Sequence, residues 1–155
     1  MNILMVCLGN ICRSPMADGL LRQKVANAHL NVFVDSAGTS NHHAGEAPDS
    51  RMRATAKQLG CPIDELRSRQ FKVSDFDQFD KIFVMDQSNR TNVLRLARNQ
   101  ADRDKVELIL NLVSPGSDAE VPDPYYGGEQ GFVHVYNLLD DATDRIMEKI
   151  RTNEW

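Results

Sequence analysis

The sequence predicts an α/β protein, a single domain over residues 1–155 built on a parallel sheet with helices on both faces. Three observations lead there. Short apolar runs alternate with helical stretches along the chain, and that order pairs strands in parallel through helical crossovers. The first run, NILMV at Asn2 to Val6, is apolar on successive positions, as a central strand covered on both sides must be. The 155 residues suffice for one sizeable core, and no repeat, low-complexity tract or linker divides them.

The elements follow in order. From Pro15 the apolar positions Met16, Leu20, Leu21, Val25 and Ala28 form a helical stripe. Ser14 sits where an N-cap belongs, and Pro15 suits the first helical position because its ring pre-sets φ. Val32 to Val34 reads as a second strand, closing at Asp35-Ser36-Ala37-Gly38. Pro48 opens a helix carrying Met52, Ala56 and Leu59, stopped by Gly60 and Pro62. Lys81 to Met85 reads as a third strand, followed by a polar helix from Ser88 to about Asn99. Val106 to Leu112 reads as a fourth strand. A turn-rich stretch, SPGSDAEVPDPYYGGEQG, then precedes a last helix with Val135, Leu139, Ala142, Ile146 and Ile150 in register.

Composition narrows the function. Hydrophobic residues make up 41% and charged residues 26%, ordinary values for a globular chain. A net charge of -4 argues against nucleic acid, whose partners show a basic face, but leaves room for a local positive pocket. No apolar run reaches the length of a membrane span, and MNILMV lacks the charge and length of a secretory leader. Three cysteines are too few for a disulfide scaffold, so a reducing cytoplasm is the expected setting.

Two of those cysteines stand in CLGNICRSPMAD, directly after the first strand. A redox pair, a metal site and a nucleophile are all compatible with Cys7 and Cys12 alone. A strand, a glycine-bearing turn and a helix N-terminus together form an anion site, because the first helical N–H groups have no internal partners. Arg13 adds a planar fork of donors that matches two phosphate oxygens. Gly9 is expected to permit the backbone conformations that let the amides converge. Cys7 lies at the base of this cradle, where such a field stabilises a thiolate placed for in-line attack on phosphorus. Zinc lacks the second half of a ligand set: His42 and His43 are neighbours in a loop, not spaced as ligands. No metal and no cofactor are expected.

Expelling a phenolate requires a proton donor. The best candidate is Asp123 in VPDPYYGG, held between Pro122 and Pro124, which restrict its backbone. Taken alone, this stretch also reads as an ordinary turn anchored by Tyr125 and Tyr126.

Together, CLGNICRSP and DPYYGG closely resemble the low-molecular-weight protein tyrosine phosphatases, and DSAG, PDSR and MDQSN extend the resemblance along the chain. The resemblance implies a three-layer sandwich with a four-stranded parallel sheet in the order 2-1-3-4 and a metal-free, two-step mechanism. By matching position, Cys7 is the nucleophile. Arg13 and the amides of Leu8, Gly9, Asn10, Ile11, Cys12, Arg13 and Ser14 bind phosphate, and Asp123 is the acid and then the base. Ser14 would hydrogen-bond the Cys7 sulfur, and Asn10 and Ser36 would hold the loop in its strained shape. Leu8, Ile11, His42, Tyr125 and Tyr126 would wall a slot one aromatic ring deep, which favours phosphotyrosine. The implied substrates are phosphotyrosine proteins or peptides, acted on by a monomer or weak dimer with no membrane partner.

The resemblance leaves two neighbouring activities to weigh. Relatives acting on phosphoarginine carry threonine where this chain has Ile11, so Ile11 points to tyrosine. Arsenate reduction needs a cysteine relay late in the chain, and none follows Cys61. Cys12, close to Cys7 on a curled loop, is the expected redox partner that would rescue an oxidised nucleophile as a reducible disulfide. The chain also departs from the family pattern. Many members have a histidine shortly before Arg69-Gln70, where this sequence reads Leu66-Arg67-Ser68, so loop support from that side is in question.

Overall fold

The computed structural model describes residues 1–155. Four strands, β1 (Asn2–Cys7), β2 (Phe33–Gly38), β3 (Lys81–Val84) and β4 (Val106–Leu108), form one sheet in the order β2-β1-β3-β4. Every neighbouring pair runs parallel. The helices are α1 (Arg13–Asn27), α2 (Ser50–Gln58), α3 (Asp75–Gln78), α4 (Gln87–Leu94), α5 (Gln100–Asp104) and α6 (Glu129–Thr152).

Successive side chains of β1 point to opposite faces, and both faces are covered. Ile3, Met5 and Cys7 join a core shared with α1, α2 and α6, including Met16, Leu20, Met52, Phe132 and Leu139. Leu4 and Val6 join a second core with Phe76 of α3 and Val93 of α4. This double burial is why NILMV is apolar without alternation. The chain leaves β1 for β2 on one side and later crosses to β3 on the other. The carboxyl end of β1 is therefore the switch point where such sheets bind ligands. No helix is long and apolar enough to cross a membrane.

Several boundaries differ from the sequence reading. The fourth strand stops at Leu108, and Ile109–Leu112 forms a 3-10 turn whose Ile109, Leu110 and Leu112 are buried. A short apolar run is buried equally well in either form, so its pattern does not distinguish them. The helix expected from Ser88 to Asn99 ends at Leu94, and Asn99 caps a separate helix by accepting from the Asp102 N–H. The second strand runs on through DSAG to Gly38. A Cβ on Gly38 would stand 2.7 Å from the Leu8 carbonyl oxygen, so only glycine lets β2 end beneath the first loop. Ser14 is not the cap of α1. That helix begins at Arg13 behind Cys12, with no side-chain cap, and the Ser14 hydroxyl is used elsewhere.

Candidate active site

The loop from β1 into α1 has its peptide groups sorted by direction. Carbonyls of Cys7, Leu8, Ile11 and Cys12 accept from the N–H groups of Thr39 (2.9 Å), Ser40 (2.9 Å), Asp49 (2.8 Å) and Met16 (3.3 Å). The Gly9 carbonyl accepts from the Ser68 hydroxyl at 3.0 Å. By contrast, no backbone N–H from Leu8 to Ser14 donates to any group of the protein. In a planar trans peptide the C=O and N–H point opposite ways, so anchoring the carbonyls on the scaffold turns the amides toward the cavity. Add the start of α1, and the loop is a cradle for an anion.

The loop's left-handed residue is Asn10 (φ 56°), whereas Gly9, expected to give the turn its conformational freedom, has no positive φ. Asparagine tolerates this region better than most residues, and its side chain holds it there. Asn10 Nδ2 donates to Ser14 Oγ (2.8 Å) and to Ser36 Oγ (2.9 Å), while Oδ1 accepts from the Arg69 N–H (3.0 Å). Ser14 Oγ accepts from Asn10 and has one proton to give, for which the Cys7 sulfur at 3.0 Å and the Ala37 carbonyl at 3.4 Å are the two acceptors. The chain of contacts continues from Ser36 to the buried Asp18, which pairs with Arg22. Burial raises the Asp18 pKa, and Arg22 and Ser36 offset part of that.

Arg13 is buried and anchored through one of its terminal nitrogens. Nη1 donates to Asp86 Oδ2 (2.7 Å) and to the Val121 carbonyl (3.0 Å), and Nη2 lies 3.7 Å from Asp123 Oδ2. Burial alone would lower its pKa, but Cys7 and Asp86 outweigh that and keep the guanidinium charged. Asp123 is oriented by more than its two prolines: its Oδ1 accepts from the Tyr125 N–H at 3.0 Å, an Asx-type turn. Burial, and next the Asp49 carboxylate, push the Cys12 thiol far above the usual cysteine range, so Cys12 is a neutral thiol.

These groups open on a cleft of about 250 Å³ lined by Cys7, Leu8, Gly9, Ile11, Cys12, Arg13, Ser40, His42, His43, Asp123, Tyr125 and Tyr126. Every predicted catalytic and wall residue lies there. Asn10, Ser14 and Ser36 sit behind it, in the supporting network. Tyr125 is steadied by Arg51, whose guanidinium carbon lies 5.2 Å from its ring centroid and 4.8 Å from that of Phe132. Sequence reasoning gave no role to Asp86, Ser68 or Arg51. Asp86 stood inside the quoted MDQSN after the third strand, and that was its only signal.

A cradle of free amides at the end of a parallel strand, with a thiol below, a buried arginine beside it and a carboxyl at the rim, fits the class of the cysteine-dependent phosphatases. The model of the low molecular weight phosphotyrosine protein phosphatase family matches residues 2–154, and the chain belongs to that family. The family's phosphatase from Schizosaccharomyces pombe is 42% identical over 151 residues, spanning 96% of each chain. The crystal structure of a protein tyrosine phosphatase from Entamoeba histolytica superposes with a TM-score of 0.93 at 40% identity, covering 100% of this chain and 99% of that one. A Drosophila arginine phosphatase superposes with a TM-score of 0.88 at 32% identity, covering 97% of this chain and 98% of its own.

Proposed function

We propose that this protein hydrolyses phosphotyrosine in proteins and peptides, and small aryl phosphates, by two displacements at phosphorus. In the first, the Cys7 thiolate attacks phosphorus, the bond to the phenolic oxygen breaks, and Asp123 gives that oxygen its proton. In the second, water attacks the cysteinyl-phosphate and passes a proton to Asp123. The S–P bond breaks, and the leaving thiolate is stabilised by the Ser14 hydroxyl. The amides of residues 8–14 and the Arg13 guanidinium meet the equatorial oxygens, where preorganised donors do most in phosphoryl transfer. No step calls on a metal or cofactor.

The observation that carries this reading is the 3.7 Å approach of Asp123 to Arg13 over a cleft floored by Cys7, from opposite ends of the sequence. Support for tyrosine over arginine comes from Ile11, Tyr125 and Tyr126 in the cleft wall, apolar or aromatic surface that suits a phenyl ring. Cys12 serves as a redox guard: peroxide oxidises Cys7 to a sulfenic acid, and the Cys12 sulfur displaces water to give a disulfide. Phosphoproteins of a reducing cytoplasm are the proposed substrates.

A panel of matched peptides bearing phosphotyrosine, phosphoserine or phosphoarginine tests the specificity. Phosphotyrosine should be cleaved at least about ten-fold faster than the others. Preference for phosphoarginine would overturn the reading.

A further inference from the structure

Among the anchored carbonyls of the cradle, Gly9 differs from Cys7, Leu8, Ile11 and Cys12. Their partners are backbone N–H groups, whereas its partner is the side chain of Ser68. Ser68 is itself buried and fixed: its N–H donates to the Glu46 carbonyl (2.9 Å), and its carbonyl accepts from the Gly45 N–H (2.8 Å). Leu66 packs half-buried against the core and makes no bond to the loop, so support from this segment comes from Ser68 and from the N–H of Arg69.

We propose that Ser68 is a positioning residue for phosphate cleavage, holding the Gly9–Asn10 peptide so that the Asn10 N–H faces the phosphoryl oxygens. The inference rests on reading residues 7–14 as the phosphate cradle. Rotating this one peptide changes ψ of Gly9 and φ of Asn10 together. Gly9 opposes such a rotation little, having no side chain. Asn10 would gain by it, since it would leave the left-handed region at φ 56°. The flipped peptide would aim the Gly9 carbonyl at the phosphate and remove one donor. The Ser68 hydroxyl, bonded to that carbonyl, resists the flip.

The test compares the parent with Ser68→Ala, using an aryl phosphate, a phosphotyrosine peptide and orthovanadate. In the variant, kcat should fall and vanadate inhibition should weaken, each by about ten-fold, since one misaligned donor acts mainly on the transition state. The peptide-to-aryl phosphate preference should stay unchanged, because the backbone of Ser68 still holds Gly45 and Glu46. A folded Ser68→Ala with parental kcat and vanadate affinity would overturn the role of Ser68 alone. A parent that neither cleaves the aryl phosphate nor binds vanadate would overturn the cradle reading beneath it. The parent also offers a test independent of the variant: inorganic phosphate should shift the Asn10 amide proton downfield in NMR spectra. An unmoved Asn10 resonance at saturating phosphate would contradict the proposal.

Discussion

The proposed mechanism gives Asp123 two opposite tasks, acid and then base. One oxygen is tied to the Tyr125 N–H and the other faces Arg13, so the carboxyl is aimed without being buried. In the proposed mechanism its work as an acid matters only where the leaving group is poor. Asp123→Asn should therefore slow cleavage of phenyl phosphate by about 10²–10⁴-fold, the usual worth of a positioned acid, yet barely affect an acidic nitrophenyl ester. Steady-state rates across a series of phenols would show this as a steeper dependence on leaving-group pKa. Equal losses across the series would remove Asp123 from that step. Cys7 and Arg13 were legible in the sequence because a strand, a turn and a helix start enclose them, and Asp123 became legible only through the family resemblance that pairs DPYYGG with CLGNICRSP. Ser68 and Asp86 were not, since a serine or an aspartate in a loop has many ordinary uses.

At the level of elements, the site depends on how helices begin. α1 starts without a side-chain cap, which leaves its first amides to the cradle. α4 starts at Asp86, whose two oxygens do separate work: Oδ1 caps the helix at the Asn89 N–H (2.8 Å), and Oδ2 anchors Arg13. Asp86→Asn keeps a good cap and loses the ion pair, whereas Asp86→Ala loses both. Urea unfolding should place the alanine variant about 1 kcal/mol below the asparagine variant, while kcat/KM falls in both. Full activity in Asp86→Asn would show that the charge on Asp86 does not position Arg13. The stripe of α6 could be read from sequence because the helix is long enough to show its period, whereas α1 is buried on every position from Arg13 to Leu21. α3 has four residues and no period to read, and Asn99 looked like an ending although it caps α5. Ser14 was misread for a related reason: a serine before a proline is a cap by propensity, but tertiary bonds to Asn10 and Cys7 claim its hydroxyl.

Across the whole molecule, the parallel sheet brings its strand ends to one edge, and the chemistry is drawn from several of them. Cys7 ends β1, Ser40 lies just beyond β2 and Asp86 just beyond β3, while Asp123 arrives on the segment that Val121 fastens to the Met85 carbonyl at 2.9 Å. A chain of net charge -4 thus gathers an arginine and a row of unpaired amides at one point, which is how an acidic protein holds an anion. The strand order that makes this edge a binding site was implied by a family resemblance. Composition and periodicity alone gave only alternating strands and helices. The central claim is that the phosphoryl group passes through the sulfur of Cys7. Rapid acid quenching during turnover of an aryl phosphate, followed by peptide mass spectrometry, tests it most directly. A phosphoryl group should be found on the peptide containing Cys7 and be missing from Cys7→Ser. Phosphorylation of a different residue, or steady turnover by Cys7→Ser, would contradict it.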